Sequence, residues 1–427
     1  MLLPLLHAAI PGGDVRRRAA GMLFRRVSGG ALSVGAVSRT VSENVAGLKI
    51  AMVAGEASGD TLGAGLIEAL KALVPDAEFV GMAGPKMIAA GCEPWYRSDE
   101  IAVMGFFEVL PHLRRILALR RELIARIASS GVDVFIGIDA QDFNRPAAGA
   151  LRRSGLKTVQ YVSPQVWAWR QSRVATIRDS VDLVLCVLPF EPKFYEAHGV
   201  RAKFVGHPLA DMIPLQVDQA EARAKLGLPL DKPVLAVLPG SRRSEVSRLS
   251  GPFMATAEWL KQRRPELTVA VALASEATAE LFRTATAGME LRDVALIPQR
   301  ARDVMAAADV VLTASGTASL EALLTKRPMV VAYKMVPLTY WLVRLLGVAK
   351  LPHFSLPNLL AGRGLVPEFV QNEVRADVLG PAVLGALDGS ALAPGWYDAF
   401  ADIHRQLRCD ASASAAREVL ALLQGSR

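Results

Sequence analysis

Short apolar runs alternate with amphipathic helical stretches along the chain from residue 48 onward. The apolar runs predict buried strands at 49–55, 77–84, 132–139, 157–164 and 182–189, and again at 233–240, 267–274, 294–298, 309–316 and 328–333. Apolar positions at helical spacing predict helices between them, for example at 60–74, 110–130 and 415–424. Short buried strands separated by helices are typical of a parallel sheet with helical crossover connections. The pattern therefore predicts an α/β fold.

The alternation is interrupted once, by a polar stretch near residues 207–230, and then restarts. We therefore predict two Rossmann-like, doubly wound domains, 47–210 and 211–427, that face a cleft, and we expect the last helix to pack back on the first domain. Ligands of such folds bind outside the carboxyl ends of the strands, and a two-domain version has its main site in the cleft.

The first 46 residues do not fit this pattern. They are apolar first and arginine-rich afterwards, which is the reverse of a secretory signal. We leave them outside the fold as a disordered basic arm or the product of a misassigned start codon. The arginine-rich, acid-poor composition of this segment faintly resembles that of an organelle transit peptide, but we prefer the other two interpretations.

Composition narrows the choice of partner. Of the 427 residues, 52% are hydrophobic and 21% are charged, which suits a folded protein and not a disordered chain. The net charge of +8 is compatible with nucleic acid, an anionic membrane surface or phosphorylated substrates. Nucleic acid is the weakest of the three, because aromatic content is 6% and no basic segment is interleaved with aromatic residues.

Neither a membrane span nor a metal site is indicated. The best candidate for a span, 329–351, is interrupted by Lys334, Arg344 and Lys350 and falls short of the ~20 apolar residues that a span needs. The cysteines are far apart and odd in number, so a reducing compartment is the simpler interpretation, and the six histidines are scattered too. We expect no metal and no cofactor.

A strand-to-helix connection in the second half, LPGSRRSE (238–245), has the composition of an anion site. Its glycine allows the backbone to approach a ligand closely, and the helix that follows offers unpaired N–H groups. Ser241 can cap that helix, and Arg242 or Arg243 can bind a phosphate through two hydrogen bonds. Taken alone, the stretch could equally be an ordinary capped connection with surface arginines.

The connection TASGTASLEALL (313–324) repeats this layout with Ser315, Gly316 and Thr317. Glu321 follows in the first turns of the helix, where it either satisfies the helix dipole or holds ribose hydroxyls. Two anion-ready loops at strand ends in one domain favour a nucleotide diphosphate.

Asp139 ends an apolar strand of the first half, in FIGIDAQDFNRP (135–146). A carboxylate at this position can act as a general base on a substrate hydroxyl. Asp142 and Asn144 either hold Asp139 or, like Asp139 itself, cap the next helix.

The turn AGEASGD (54–60) places Glu56, Ser58 and Asp60 within five residues. Two acids argue against a bare diphosphate at this turn. Hydrogen bonds to sugar hydroxyls are one interpretation, and helix capping by Ser58 or Asp60 is the other.

Large apolar residues are edged by arginines in both halves. Phe106 and Phe107 precede an arginine-rich helix, and Trp167 and Trp169 lie beside an arginine. A further apolar segment at 335–354 contains Trp341. Such patches suit an amphipathic ligand or an anionic membrane surface, although a core helix with snorkelling arginines explains the first helix alone as well.

Eight stretches in order resemble the lipid-A-disaccharide synthase family, from about residue 48 to near the end of the chain. They are AGEASGD, AVMGFFEVL, GIDAQDFN, YVSPQVWAWR, LPFE, LPGSR, ASGTASLEALL and SLPNLLAGRGLVPEFVQ. The resemblance implies the GT-B glycosyltransferase fold. It also implies an inverting reaction that joins UDP-2,3-diacylglucosamine to 2,3-diacylglucosamine 1-phosphate through a β(1→6) linkage and releases UDP.

The resemblance also implies roles for residues. Asp139 matches the base on the acceptor 6-hydroxyl, and Ser58 and Glu56 lie in the motif near the reacting sugars. The donor side is matched by Ser241, Arg242, Ser315, Gly316, Thr317, Glu321, Asn358 and, more weakly, Gln371. Acyl chains or membrane would contact Phe106, Phe107, Trp167, Trp169 and Trp341.

The expected partners are the two acylated sugars and the cytoplasmic face of the inner membrane, to which the enzyme would attach peripherally, with a homodimer as the expected assembly and no nucleic acid. Two alternatives remain from sequence alone. One is another UDP-sugar glycosyltransferase or UDP-sugar epimerase of the same fold, because a fold does not fix a function. The other is a non-catalytic protein that binds a nucleotide-linked lipid.

Overall fold

The computed structural model describes residues 47–102, 109–169, 173–289, 294–336 and 352–425, without the side chains of 101, 102, 109–113, 168 and 169. Within these residues the chain forms two parallel sheets in succession. The strands of the first are β1 (Lys49–Ala54), β2 (Glu78–Ala83), β3 (Cys92–Arg97), β4 (Val134–Ile138), β5 (Lys157–Tyr161), β6 (Leu183–Cys186) and β7 (Ala202–Phe204). Those of the second are β8 (Val234–Leu238), β9 (Thr268–Leu273), β10 (Val294–Pro298), β11 (Val310–Ala314), β12 (Met329–Tyr333) and β13 (Glu368–Val370).

Helices connect the strands throughout both sheets. With the first sheet go α1 (Ala57–Leu73), α2 (Pro85–Ala89), α3 (Asp99–Ala102), α4 (Val109–Ser129), α5 (Gln141–Arg153), α6 (Val166–Trp169), α7 (Val174–Ser180), α8 (Glu191–Glu196) and α9 (Pro208–Met212). With the second go α10 (Gln219–Leu226), α11 (Arg243–Lys261), α12 (Glu276–Ala285), α13 (Ala301–Ala307), α14 (Thr317–Leu324), α15 (Leu356–Ala361), α16 (Ala376–Leu387), α17 (Trp396–Leu407) and α18 (Ala411–Gln424). A 3₁₀ turn spans Gln371–Glu373.

Both sheets share one strand order. The described strands run β3-β2-β1-β4-β5-β6-β7 in the first sheet and β10-β9-β8-β11-β12-β13 in the second. In each sheet the order reverses beside the first strand, between β1 and β4 and between β8 and β11. Loops diverge at such a switch point and leave a crevice for ligands at the carboxyl ends of the strands. The prediction of two Rossmann-like units is confirmed by this arrangement.

The central strands are buried because helices cover both faces of each sheet. Every residue of β4, β8 and β11 is buried, which explains their continuous apolar sequences. Two separate apolar clusters pack against opposite faces of the second sheet, one of them around Phe253 and Phe282 and the other around Leu320 and Phe400. Burial of each such side chain contributes roughly 1.5–3 kcal/mol, so the apolar runs fix these strands.

The link between the halves lies at α9, and the predicted boundary at 210/211 falls inside this helix. Both sheets lie in one compact body, and the division into two domains stays a prediction. Helix α18 packs against α1 of the first half. The carboxylate of Asp211 accepts hydrogen bonds from the amides of Asp410 and Ala411 at 3.0 and 2.7 Å, which ties the start of α18 to the link.

Candidate active site

A pocket of about 890 Å³ opens at the carboxyl ends of the second sheet. Its walls come mainly from the loops after β8, β9, β10 and β11 and from the segment before α15. Gln165 and Trp167 of the first half line it as well, so the pocket belongs to the cleft between the two sheets. Among the predicted donor-side residues, those that line it are Ser241, Arg242, Ser315, Gly316, Thr317 and Glu321.

The loop after β11 presents unpaired backbone donors to this pocket. Gly316 has φ 138°, a conformation that side chains rarely adopt, and a Cβ there would meet no atom within 4 Å. Helix α14 begins directly afterwards at Thr317. The amides of Thr317 and Ala318 donate to no acceptor within the described parts of the chain, whereas the amide of Ser319 bonds to the Gly316 carbonyl. The loop therefore offers an open helix N-terminus, which favours an anion.

Glu321 is held in place by an arginine. Its Oε1 accepts a hydrogen bond from Arg302 Nε at 2.7 Å, and 15% of its side chain is exposed. The ion pair fixes the carboxylate at the pocket wall, one turn beyond the open helix end. Arg302 is a residue that sequence reasoning missed, because it comes from α13, on the other side of β11 in sequence and 19 residues before Glu321.

The loop after β8 differs, because a carboxylate already occupies its backbone donors. Glu245 Oε2 accepts the amides of Ser241 and Arg242 at 3.2 and 3.3 Å. Gly240 has φ 118°, and a Cβ on it would lie 2.6 Å from Glu245 Cβ, so glycine is required for this close approach. The N-cap position is Arg242, and Glu245, not the Ser241 hydroxyl, takes up the amides. The acid three residues after the N-cap is the sequence signal that would have identified this role.

Arg242 remains available to a ligand from this loop. Its side chain is 80% exposed and lines the pocket, with its guanidinium 4.0 Å from Glu245. Arg243 is exposed and lies outside the pocket lining. The cation of the β8 loop and the open amides of the β11 loop are neighbours, since β8 pairs with β11 and Leu238 lies opposite Thr313.

Asn358 and Gln371 stabilise loops and do not line the pocket. Asn358 is buried, and its Oδ1 accepts the amides of Leu365 and Val366 at 2.7 and 2.9 Å. Gln371 Oε1 accepts the amide of Met335, a pocket-lining residue, at 2.7 Å. Both side chains thus hold backbone segments around the pocket through hydrogen bonds and are not part of its lining.

Glu368 lies in the stretch SLPNLLAGRGLVPEFVQ together with Asn358 and Gln371, but sequence analysis gave it no role. Its carboxylate accepts the amide of Ser355 at 2.7 Å and lies 3.5 Å from His353 Nδ1. These contacts hold the segment that carries His353 and Phe354 into the pocket. Short irregular segments of this kind carry no periodicity, so the sequence gives little indication of their partners.

Asp139 and Glu56 lie together at the switch point of the first sheet. They follow β4 and β1, two paired strands in which Ile138 lies opposite Ala54. Burial raises the pKa of Asp139 above its ordinary value, and the Glu56 carboxylate raises it further, while a hydrogen bond from the Ala140 amide and the Arg242 guanidinium act to lower it. Asp139 therefore has an acid neighbour in its own half and a cation facing it from the other half.

The other polar residues of the AGEASGD turn have separate positions. Ser58 is exposed in the first turn of α1. Asp60 is buried, and its carboxylate accepts the amides of Lys86 and Met87, both at 2.9 Å. Asp60 thus caps the start of α2. Sequence analysis proposed helix capping as one role of this turn, but the capped helix is α2 and not α1, in which Asp60 itself lies.

Trp167 contributes to the pocket wall from the first half. Its Nε1 donates to Glu191 Oε1 at 3.1 Å, and its ring meets Phe190 edge-on with centroids 4.8 Å apart. Glu191 is 1% exposed and also accepts from Ser163 Oγ at 2.7 Å, and burial raises its pKa to about 7. Glu191 belongs to the LPFE stretch, to which the sequence assigned no role. It holds Trp167 against the cleft.

The remaining predicted acyl or membrane contacts are not described. Phe106, Phe107 and Trp341 lie outside the described residues, and Trp169 is described only in its backbone, as the last residue of α6. Among the helices that the structure describes, none is long and apolar enough to cross a membrane.

Comparison with known proteins identifies the family. A sequence model described as lipid-A-disaccharide synthetase matches residues 50–419. The lipid-A-disaccharide synthase of Salmonella paratyphi B is 50% identical over 379 residues, which cover 88% of this chain and 98% of that protein. The Neisseria meningitidis UDP-GlcNAc 2-epimerase bound to UDP-GlcNAc shares the fold, with a TM-score of 0.60 and 11% identity over 89% of this chain and 100% of that one. So does CalG4, the calicheamicin glycosyltransferase, with a TM-score of 0.55 and 18% identity over 89% and 99%. The chain therefore has the predicted GT-B fold and belongs to the lipid-A-disaccharide synthase family.

Proposed function

We propose that this protein transfers a 2,3-diacylglucosamine unit from its UDP donor to the 6-hydroxyl of 2,3-diacylglucosamine 1-phosphate with inversion, releasing UDP. Within the family, the observation that carries this proposal is the arrangement across the cleft. An open helix N-terminus and Arg242 lie on the second sheet, and Asp139 lies on the first within electrostatic range of Arg242. A group that receives negative charge and a group that removes a proton therefore face each other.

The donor diphosphate is assigned to the β11 loop. The amides of Thr317 and Ala318 would donate to its oxygens, and Arg242 would neutralise charge from the neighbouring loop. Glu321, fixed by Arg302, is suitably placed to accept hydrogen bonds from ribose hydroxyls. Asn358 and Gln371 support this side through the backbone segments that they hold.

The transfer is a single displacement. As the acceptor 6-oxygen attacks the anomeric carbon of the donor, its proton passes to the Asp139 carboxylate, and the bond from the anomeric carbon to the diphosphate oxygen breaks. The electron pair leaves with UDP, whose added negative charge is stabilised by Arg242 and the α14 amides. The raised pKa of Asp139 makes its carboxylate a stronger base than an ordinary aspartate.

We also propose that the enzyme works at the cytoplasmic face of the inner membrane. Helix α4 exposes several arginines, among them Arg114, Arg121 and Arg126, which suit an anionic lipid surface. The acylated substrates would supply a second reason for this location. Roles for Phe106, Phe107, Trp167, Trp169 and Trp341 in acyl contact, and a homodimeric assembly, stay predictions.

Turnover with synthetic acylated donor and acceptor tests the proposal, with mass measurement of the disaccharide as the readout. Asp139→Asn should keep UDP affinity and lose turnover by at least about 100-fold, as expected for removal of a general base. Asp142→Asn is the matched control, because this exposed carboxylate lies three residues further along, in the first turn of α5. It should stay within about 2-fold of the unmodified enzyme.

Three results would contradict the proposal or a part of it. Full turnover in Asp139→Asn would remove the base assignment while leaving the transfer itself intact. Equal processing of unacylated UDP-N-acetylglucosamine would instead favour an epimerase or a different glycosyltransferase. Tight UDP binding with no product from any acylated pair would favour a non-catalytic binding protein.

A further inference from the structure

Three non-glycine residues with left-handed backbone conformation cluster at the carboxyl ends of β4 and β5. Asp139 has φ 49° and Ala140 has φ 35°, immediately after β4. Val162 has φ 70°, immediately after β5. The two strands are neighbours, with Ile138 opposite Tyr161. Non-glycine residues populate this conformation sparsely, and a β-branched residue does so least, so other contacts must hold both turns.

Gln160 makes such contacts with both turns at once. Its side chain lies at the end of β5 and is 3% exposed. Its amide nitrogen donates to the carbonyls of Asp139, Tyr161 and Val162 at 3.2, 3.3 and 3.3 Å. Since all three partners are acceptors, only a donor can occupy this position without repulsion.

Asn144 holds the Asp139 turn from a second direction. Its amide nitrogen donates to the carbonyls of Ile138 and Asp139 at 3.2 and 3.1 Å and to Val53 of β1 at 3.3 Å. Gly137 allows this approach, because a Cβ there would lie 2.8 Å from Asn144 Cβ. The carbonyl of Asp139 is therefore fixed by two buried amides from different elements.

We infer that Gln160 is a positioning residue that aims the Asp139 carboxylate and couples it to the pocket wall. Gln160 does not line the pocket and acts through the backbone of Asp139. Its bond to Val162 joins the Asp139 turn to the segment that leads to Gln165 and Trp167, which do line the pocket. One buried side-chain amide, that of Gln160, thus bonds both to the turn that carries the proposed base and to the segment that leads to the pocket wall of the first half. This inference rests on the proposed role of Asp139.

Gln160→Met is the direct test, because it keeps the length of the side chain and removes the donor. Loss of this hydrogen bond would leave the Asp139 carbonyl with Asn144 alone, and small displacements of a catalytic group are costly. We expect kcat to fall roughly 10- to 100-fold while the Kd for UDP, whose site lies on the second sheet, stays within about 2-fold.

Gln219→Met is the matched control. Gln219 also donates from one amide nitrogen to three acceptors, Ala307 O, Ala308 O and Asp309 Oδ1, at 3.4, 2.9 and 3.1 Å. It makes these contacts on the second half, away from the pocket lining. The same chemical change there should lower stability and leave kcat within about 2-fold, because no group assigned to catalysis depends on it.

Gln160→Glu gives a second test if the methionine variant does not fold. A protonated carboxyl donates to the three carbonyls, whereas an ionised one repels them. Burial favours the protonated form, so kcat of this variant should fall as pH rises and the introduced carboxyl ionises, a loss that the unmodified enzyme does not show. A purely structural role would change the amount of folded protein and would not add this loss of kcat at higher pH.

The inference is overturned if Gln160→Met keeps the kcat of the unmodified enzyme, if the two methionine variants lose kcat equally, or if UDP affinity falls in parallel with kcat. Failure of the proposed function looks different, because the unmodified enzyme would then form no disaccharide. Full activity of Asp139→Asn would remove only the base assignment on which this inference rests. The two ideas can therefore be judged separately.

Discussion

The connections after β8 and β11 have the same layout in sequence but offer a ligand different groups. Each consists of a buried strand, a glycine with positive φ and a helix, and the two lie side by side at one switch point. The β11 connection presents the open amides of Thr317 and Ala318. The β8 connection presents a guanidinium, because its amides are bonded to Glu245.

One helix position accounts for the difference. The third residue of α11 is Glu245, whose carboxylate turns back to accept the loop amides. The third residue of α14 is Ser319, whose hydroxyl donates to the Gly316 carbonyl at 2.7 Å and leaves the amides open. A glycine turn before a helix thus leaves its amides open to an anion only when the first turn of that helix brings no acceptor of its own.

The largest expected effect comes from closing the open loop. Ala318→Glu places a carboxylate in the first turn of α14, on a residue that lines the pocket. It would compete for the amides and repel the diphosphate, so the Kd for UDP should rise at least about 100-fold, a change of roughly 3 kcal/mol.

Ala318→Gln is the control, since it adds nearly the same bulk without charge. Calorimetric titration with UDP measures both variants. Equal losses in the two would mean that crowding and not charge decides binding at this loop.

A second, smaller effect should follow from removing the cation of the other loop. Arg242→Met should raise the Kd for UDP about 10- to 30-fold, or roughly 1.4–2 kcal/mol, which is the lower end of the range for a charge-assisted hydrogen bond because the side chain is 80% exposed. Arg243→Met, which alters the exposed neighbour outside the pocket lining, should stay within about 2-fold. If Arg243→Met weakened binding as much as Arg242→Met, the assignment of the contact to Arg242 would be wrong.

Release of the backbone amides of the β8 loop should slightly lower stability and leave UDP binding unchanged or slightly tighter. Glu245→Ala frees the amides of Ser241 and Arg242 and removes a carboxylate 4.0 Å from the Arg242 guanidinium. We expect the free energy of unfolding to fall by about 1 kcal/mol through loss of the cap. UDP should bind as tightly as before or up to a few-fold more tightly.

Denaturant unfolding and UDP titration of the Glu245 variant measure the two parts. Weaker UDP binding without any loss of stability would show that Glu245 supports the ligand site and does not close it.

The smallest effect expected is electrostatic and reaches across the cleft. The proposed base, Asp139, can accept a proton only when ionised, so activity should rise with pH through its pKa. Glu56→Gln removes the neighbour that raises this pKa and should shift the acid limb of the kcat profile to lower pH. Arg242→Met removes a group that lowers it and should shift the limb to higher pH. Shifts in the same direction in both variants would show that the acid limb does not report the ionisation of Asp139.

Prediction from sequence succeeded where a regular pattern covers a buried element. The central strands of both sheets are continuous apolar runs, and their predicted positions agree with the structure to within a few residues. The pattern did not identify β3, β7 and β13 as strands. All three strands lie at sheet edges, where fewer residues are buried. In β3, for example, Glu93 and Pro94 are exposed, so the strand lacks the continuous apolar run on which the prediction depends.

The candidate site divides in the same way. Ser315, Gly316, Thr317, Glu321 and Arg242 follow β11 and β8, which pair in the second sheet, and a parallel sheet brings such positions together, whereas Asp139 follows β4 of the first sheet. Asn358 could be recognised from the sequence as a motif residue, but its bonds to the backbone of 365 and 366 depend on how that loop folds back.

The sequence by itself determined two successive parallel sheets, the strand ends that carry polar groups and the family, because periodicity and ordered motifs are local properties of the chain. Only the tertiary structure decided which of those polar groups are open to a ligand. Glu245 closes one loop, Arg302 fixes Glu321, and Gln160 and Asn144 hold the left-handed turn at Asp139. Those assignments depend on where hydrogen-bonding groups find their partners, and most of these partners lie on other elements of the fold.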